Sequence, residues 1–380
     1  MTIAVERHPI EPGPGNGIAA ARDAALQPAS EAAPKAAIDL RAIPFAAEYT
    51  AGARNAVTTC LRVEPTEKVT LITDESCLQI AASLASELER IGCEWNGFVL
   101  ESLAPRPLTA MPGIVLDDLE TSQASIFAVA TQPNELRSRM QMTDVVNRRR
   151  MRHAHMAGIT GEIMTQGMRA DFKEIDRLSQ AVLDKLREAT YIRATTPAGT
   201  DIHAQLDPAF RWFKTSGIIS PGRWGNLPGG ACFTAPGEVN GVFVVDGVAG
   251  DPLSKRYGLL RAHPLTIAIE GNRIKRARSI NQDLERDFWD LTHTDENSDR
   301  VGELAIGTNL GVERLIGNML QDEKFPGIHI AFGDPYGAHT GATWKSSIHI
   351  DVVGLDFSIW LGDAHGEEQI MRAGLFTLDS

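Results

Sequence analysis

No two cysteines in this chain form a CxxC pair: Cys60, Cys77, Cys93 and Cys232 are widely spread over 380 residues. A thiolate zinc site and a disulfide framework are both unexpected on that spacing, since a chain of this length can build its own core. No segment approaches the ~20 apolar residues that cross a bilayer. The N-terminus has no basic start followed by an apolar run, so nothing there reads as a secretory signal. Positive charge is in deficit, with 37 basic against 49 acidic side chains and a formal net charge of −12. That balance argues against nucleic acid or an anionic membrane as the main partner, although it permits a local basic pocket for a small anion. No GxGxxG follows the first strand-like run and no GxxxxGK[ST] occurs, which leaves a dinucleotide or nucleoside triphosphate site without support. The expectation is a cytoplasmic protein with a small-molecule partner.

What is present is ordinary globular composition, 43% hydrophobic and 23% charged, in a chain longer than one core usually serves. Residues 1–36 are rich in Ala, Pro and Gly without a sustained period. They read as an N-terminal arm, either ordered against a partner subunit or plainly disordered. Residues 37–190 then alternate. Helix-like spacing over 43–62 precedes the β-rich KVTLITD (68–74), a helical 76–91, the strand-like WNGFVLE (95–101) and ASIFAVA (124–130), and a long helical stretch through 165–189. Such alternation predicts an α/β domain with a largely parallel sheet covered on both faces. Near Tyr191 the texture changes. Strand-like runs separated by Gly, Pro and Asn turns follow: 241–247, 265–278, 327–333, 346–354 and 356–362. Glu270-Gly271-Asn272 marks a hairpin, and helices are expected only around 280–290 and 311–319. Residues 191–380 are read as a second domain, strand-rich, mostly antiparallel and α+β, carrying a metal site.

The densest chemistry is SIHIDV. On a strand, His349 and Asp351 leave the same face while Ile348, Ile350 and Val352 point to a core. An imidazole and a carboxylate held side by side are good ligands for a divalent cation; the bland alternative is a neutral histidine bonded to its neighbour on a solvated face. His329 lies in another apolar strand, GIHIAFG, and Glu303 in the apolar GELAIGTNLG, where an unpaired carboxylate is costly and a metal would compensate it. One Glu, two His and one Asp suit zinc, iron or manganese better than calcium. A salt-bridged core network is the rival reading.

Other groups are candidates for the chemistry around that metal. Tyr336 and His339 occupy a Gly- and Pro-rich loop that is either a lid over the site or a surface turn. A phenol there can donate to a developing oxyanion. In RWGNLPGGACFTAP, Arg223 and Trp224 offer a charge and a flat apolar face for a substrate, unless the segment is a domain junction. Glu238 is a reserve ligand or proton-transfer group. His293 reads as part of a solvated loop that could approach the metal. His153 and His155 interrupt RRRMRHAH, which reads as an exposed helix face or helix end carrying Arg148, Arg149 and Arg150. His8, His203, His263 and His365 have no visible partner.

In order and spacing, CLRVEPTEKVTLITD, TTPAGTDI, NLPGGACFTAP, GELAIGTNLG, GIHIAFGDPY and SIHID resemble the metallo-aminopeptidases of the thermophilic, leucyl-aminopeptidase type and the related 2,5-dihydroxypyridine 5,6-dioxygenases. The resemblance implies an α/β N-terminal domain, a strand-rich C-terminal domain with the metal site, and a homodimer. By that match the peptidase ligands are kept at Glu303, His329, His349 and Asp351, and the tyrosine at Tyr336. The glutamate shared between two metal ions falls at Ala231, a methyl group. Without it two close cations repel with less compensation, so one metal per chain is expected. The expected function is a mononuclear non-haem Fe(II) ring-cleaving dioxygenase acting on a small hydroxylated N-heterocycle or related aromatic. A metal-dependent hydrolase using Zn(II) or Mn(II), with an amide, peptide or amine-bearing substrate, is the alternative. A noncatalytic accessory protein that kept the fold is a third reading.

Overall fold

The computed structural model describes residues 38–222 and 224–378. The N-terminal arm, Arg223 and the side chain of Trp224 lie outside the described residues. The described residues form one unit by their contacts.

Four apolar runs near the start make a parallel sheet. They are β1 (Lys68–Thr73), β2 (Glu94–Val99), β3 (Ala124–Val129) and β4 (Arg152–Ala157). Val69, Leu71, Ile126 and Met156 pack on one side with the helices Leu78–Ile91 and Thr50–Arg54. Ile72, Phe127 and Val129 pack on the other with the helix Leu136–Arg149. Burial on both faces is why these strands read as nearly continuous apolar runs. Asp74 ends β1 and caps the next turn by accepting from the Cys77 amide at 2.9 Å.

β4 corrects the reading of the RRRMRHAH run. Arg148 and Arg149 do end a helix, and Arg150 turns it off in the left-handed region at φ 52°. The next residues enter the sheet, where His153 is fully buried and its Nδ1 lies 2.8 Å from Ser125 Oγ. A buried hydrogen bond, invisible to local spacing, overrides the exposed-helix pattern.

Fourteen further strands follow among the described residues. β5 (Tyr191–Thr195), β6 (Asp201–Gln205), β7 (Phe213–Lys214), β8 (Trp224–Asn226), β9 (Ala231–Thr234) and β10 (Glu238–Val245) come first. The hairpin of β11 (Leu265–Glu270) and β12 (Arg273–Arg278) turns on Gly271 and Asn272, both at positive φ. The last are β13 (Val301–Gly307), β14 (Gly327–Gly333), β15 (His349–Val353), β16 (Ser358–Asp363), β17 (Gly366–Arg372) and β18 (Leu375–Phe376).

β8 runs back beside β4 to complete a sheet of order β2-β1-β3-β4-β8. The others form two antiparallel sheets, β12-β11-β10-β6-β5-β16-β17-β18 and β15-β14-β13-β9-β7. Between these two lies the largest core, with Phe243, Ile192 and Ile359 from one sheet and Ile306, Ile330, Phe332 and Val352 from the other. The fold is thus a parallel α/β domain followed by a strand-rich, mostly antiparallel α+β domain.

NLPGGACFTAP therefore crosses from the parallel sheet at β8 to the antiparallel sheet at β9. The crossing requires close backbone contact: a Cβ on Gly229 would stand 2.2 Å from the Gly217 nitrogen. The helix expected around 311–319 is absent. In its place Asp322 accepts from the backbone amides of Ile316, Gly317 and Asn318, and the only helix there is the short Met319–Asp322. A carboxylate that gathers free amides competes with helix formation.

Candidate metal centre

The outer face of the five-stranded antiparallel sheet carries the chemistry. Glu303 on β13 pairs with Ala331 on β14, which pairs with Asp351 on β15. One rung of the ladder therefore puts two carboxylates on one face, and His329 and His349 project from that face at alternate positions. The bulge between Val301 and Glu303 sets the aim of Glu303.

Glu303, His329 and Asp351 each bring a ligand atom, all within 4.8 Å of one another. His329 Nε2 is 3.3 Å from Glu303 Oε1. His349 joins the same space: its Nε2 is 3.5 Å from Asp351 Oδ1 and 3.8 Å from Glu303 Oε2. The Asp334 carbonyl lies 2.8 Å from His349 Nδ1. With Nδ1–H donating to that carbonyl, Nε2 is the nitrogen left facing the carboxylates, the orientation typical of a metal-binding histidine.

Asp351 Oδ1 and His329 Nδ1 are buried without a hydrogen-bond partner. Buried polar atoms are rarely left so. A divalent cation between the carboxylates would satisfy Asp351 Oδ1, and the mixed N/O donor set suits zinc, manganese or iron(II). The residues fit a metal ion.

Charge is strongly perturbed here. Burial opposes the charged form of His349, yet the Asp351 and Glu303 carboxylates prevail and hold it up at about 10. Burial likewise opposes ionisation of Asp351, while His349, His329 and Lys324 bring it down to about 2. In the metal-free chain the pair is an imidazolium and a carboxylate at neutral pH. Because the His349 value is raised, this pairing contributes stability that is complete below the ordinary 6.5 and is lost as pH rises through about 10. A cation bound by His349 displaces the proton. Apparent metal affinity should therefore increase about tenfold per pH unit between about pH 7 and 9. Calorimetry in buffers of different ionisation enthalpy should show one proton released, and a pH-independent affinity would remove His349 from the ligand set.

Tyr336 sits at positive φ, 50°, a strained backbone state for a non-glycine residue. Its ring lies 4.3 Å from that of His349. The residue as a whole is 44% exposed, but desolvation on its cluster-facing side, then the carboxylates of Asp351, Glu303, Glu323 and Asp334, push its ionisation well above 10 and keep it a hydrogen-bond donor. Aromatic contacts continue outward from Tyr336 to Phe233, Phe213 and His339, at centroid distances of 6.4, 5.7 and 5.0 Å.

Glu238 is not brought to the cluster. It opens β10 in the other antiparallel sheet, exposed, and accepts from Asn240 Nδ2 at 2.7 Å. His293 stacks on Trp289 at 3.8 Å on the surface. A cavity of about 1040 Å³ opens beside Arg211, Trp212, Lys214 and Asp176, but none of Glu303, His329, His349 or Asp351 lines it. Glu323 and Lys324 were not singled out from the sequence, where DEK ahead of a proline looks like a solvated turn. In the structure Lys324 is buried, its ammonium paired with Glu323.

No curated protein matches the sequence. Among solved structures the fold is similar to wild-type AmpT from Thermus thermophilus (TM-score 0.65, 16% identity, 87% of this chain and 99% of that one). It is also similar to 2,5-dihydroxypyridine dioxygenase from Pseudomonas putida KT2440 (TM-score 0.63, 16% identity, 88% and 99%). At such identity these show a shared fold. Residues 162–376 match the model of the thermophilic metalloprotease (M29) family. That match spans more than half of the sequence and includes every candidate metal ligand, and the chain belongs to the thermophilic metalloprotease (M29) family.

Proposed function

We propose that the chain is a metal-dependent hydrolase that cleaves an amide bond in a peptide or small amine-bearing substrate. The observation that carries this reading is the three-donor cluster of Glu303, His329 and Asp351 within a metalloprotease-family segment. The mechanistic roles of individual residues below are part of the same proposal.

His329, Asp351 and His349 would hold the ion, with Glu303 as a fourth donor or as a base. A bound divalent ion supplies Lewis acidity, polarising the carbonyl and acidifying water. Tyr336 keeps its phenolic proton beside the cluster and donates it as a hydrogen bond to oxygen that gains charge. Glu303 has its Oε2 unengaged by His329 and can take a proton from water and pass it to the leaving amine. Asp334 fixes His349 through its carbonyl. Phe233 and Phe213 offer flat apolar surface for the substrate and limit water beside the cluster.

A ring-cleaving dioxygenase is the second reading, favoured by one specific feature: Ala231, buried on β9, leaves a methyl where a bridging carboxylate would support a second ion. The deciding experiment loads the chain with Zn(II), Mn(II) or Fe(II). It then follows aminoacyl p-nitroanilides, short peptides and dihydroxypyridines with and without dioxygen. Amide cleavage at equal rates under argon and air is the expected result. Substrate loss that requires dioxygen and iron, with no amide cleavage, would transfer the assignment to ring cleavage.

A further inference from the structure

Lys324 is 5% exposed and stands three residues before β14, beside acids rather than at the surface. Its ammonium pairs with Glu323, which is itself largely buried. The place of this segment is set by Gly307. On β13, Glu303, Ala305 and Gly307 share the metal-facing side, and Gly307 pairs with Ala231 on β9. A Cβ on Gly307 would stand 2.0 Å from the Phe325 carbonyl oxygen and 2.9 Å from the Lys324 carbonyl carbon. The Lys324–Phe325 backbone therefore passes against Gly307 on the metal-facing side, at the end where Ala231 presents only a methyl group.

We propose that the Lys324 ammonium takes the place of a second metal ion, so that the centre holds one divalent cation per chain. The inference rests on the metal-centre reading above and adds the residue that sets the count.

The charge balance supports it. Glu303, Glu323 and Asp351 bring three negative charges to the cluster when ionised, and one divalent cation with Lys324 matches them. A second divalent ion would leave a surplus of two positive charges in a buried site, where unmatched charge is poorly screened. The Lys324 ammonium acts in the sense this requires: it helps to keep Asp351 ionised and opposes the rise that burial imposes on Glu323. Ala231 removes a carboxylate and Lys324 adds a cation, two changes in the same direction at neighbouring positions. A lysine also has a property a metal lacks: it is held covalently and cannot be chelated away.

The test is metal stoichiometry on the full chain, stripped with chelator and titrated with Zn(II) and with Mn(II) by calorimetry. Elemental analysis after dialysis checks the count. The wild-type chain should take one ion. Lys324→Met and Lys324→Gln, which remove the charge, should take a second ion, with a dissociation constant for that ion at least tenfold below any residual second-site binding in wild type. Two ions per wild-type chain would overturn the proposal whether or not either variant folds. One ion with unchanged affinities in a folded Lys324→Met chain would overturn it too. No bound ion in the wild-type chain would instead remove the metal centre itself, so the two failures are distinguishable.

Discussion

Asp351→Ala should abolish stoichiometric metal binding while the chain remains folded. Asp351 is the carboxylate nearest to His349, whose Nε2 stands 3.5 Å from Asp351 Oδ1, and that buried oxygen makes no well-formed hydrogen bond. Removing it deletes one proposed ligand and the anion that holds His349 in place. Loss of an outer-shell partner alone costs roughly 10–100-fold in metal affinity, so loss of this group should exceed that range. The fold should survive because Asp351 points away from the core that its neighbours Ile350 and Val352 fill. Its removal takes away a buried charge together with the larger of the two carboxylate effects that raise His349, and leaves Glu303 as the remaining anion beside the imidazole. Elemental analysis and far-ultraviolet circular dichroism on the same sample check both halves. A folded variant with a full complement of metal would remove Asp351 from the site.

Tyr336→Phe should lower kcat for amide hydrolysis by about 10²–10³, the usual effect of deleting one oxyanion donor. Metal content and KM should be little changed. The argument rests on position and protonation together. The ring packs 4.3 Å from His349, and desolvation together with the neighbouring carboxylates keeps the proton on the phenol. Such a group hydrogen-bonds to negative charge as it forms and has little to offer a neutral ground state, so its loss falls on kcat. The strained backbone at Tyr336 is retained in the variant, because phenylalanine meets the same φ. A kcat within twofold of wild type, with metal bound, would reduce Tyr336 to a packing residue. A parallel fall in metal content would make it a ligand.

The legible parts of the fold share one trait: their periodicity is local. KVTLITD, ASIFAVA and GIHIAFG are apolar runs bounded by turn residues, and they became β1, β3 and β14 nearly to the residue. The Gly271-Asn272 hairpin needs only two positive-φ positions, a demand carried by the residues themselves. β4 was hidden because its histidines are polar and its preceding arginines fit a helix end. The Ser125–His153 hydrogen bond, across 28 residues, and the contact of His153 Nε2 with His155 Nδ1 at 3.3 Å make burial of His153 acceptable. β8 was hidden for another reason. Three residues have no period, and Trp224–Asn226 is a strand because the edge of β4 offers it hydrogen bonds.

The candidate site divides in the same way. By itself the sequence determined that His349 and Asp351 share a face, that Glu303 and His329 are misplaced in apolar runs unless something compensates them, and that position 231 carries no carboxylate. The first two follow from strand alternation and from the cost of burying an ion, the third from the residue at that position, and none depends on what lies across the sheet. Tertiary structure alone decided which residues meet. Pairing of β13, β14 and β15 placed Glu303, Ala331 and Asp351 on one rung, although they are far apart in sequence. It put Glu238 in the other antiparallel sheet and turned Lys324 inward over Gly307. Strand register and close backbone approach are properties of partners distant in the chain, and no window along the sequence contains both partners.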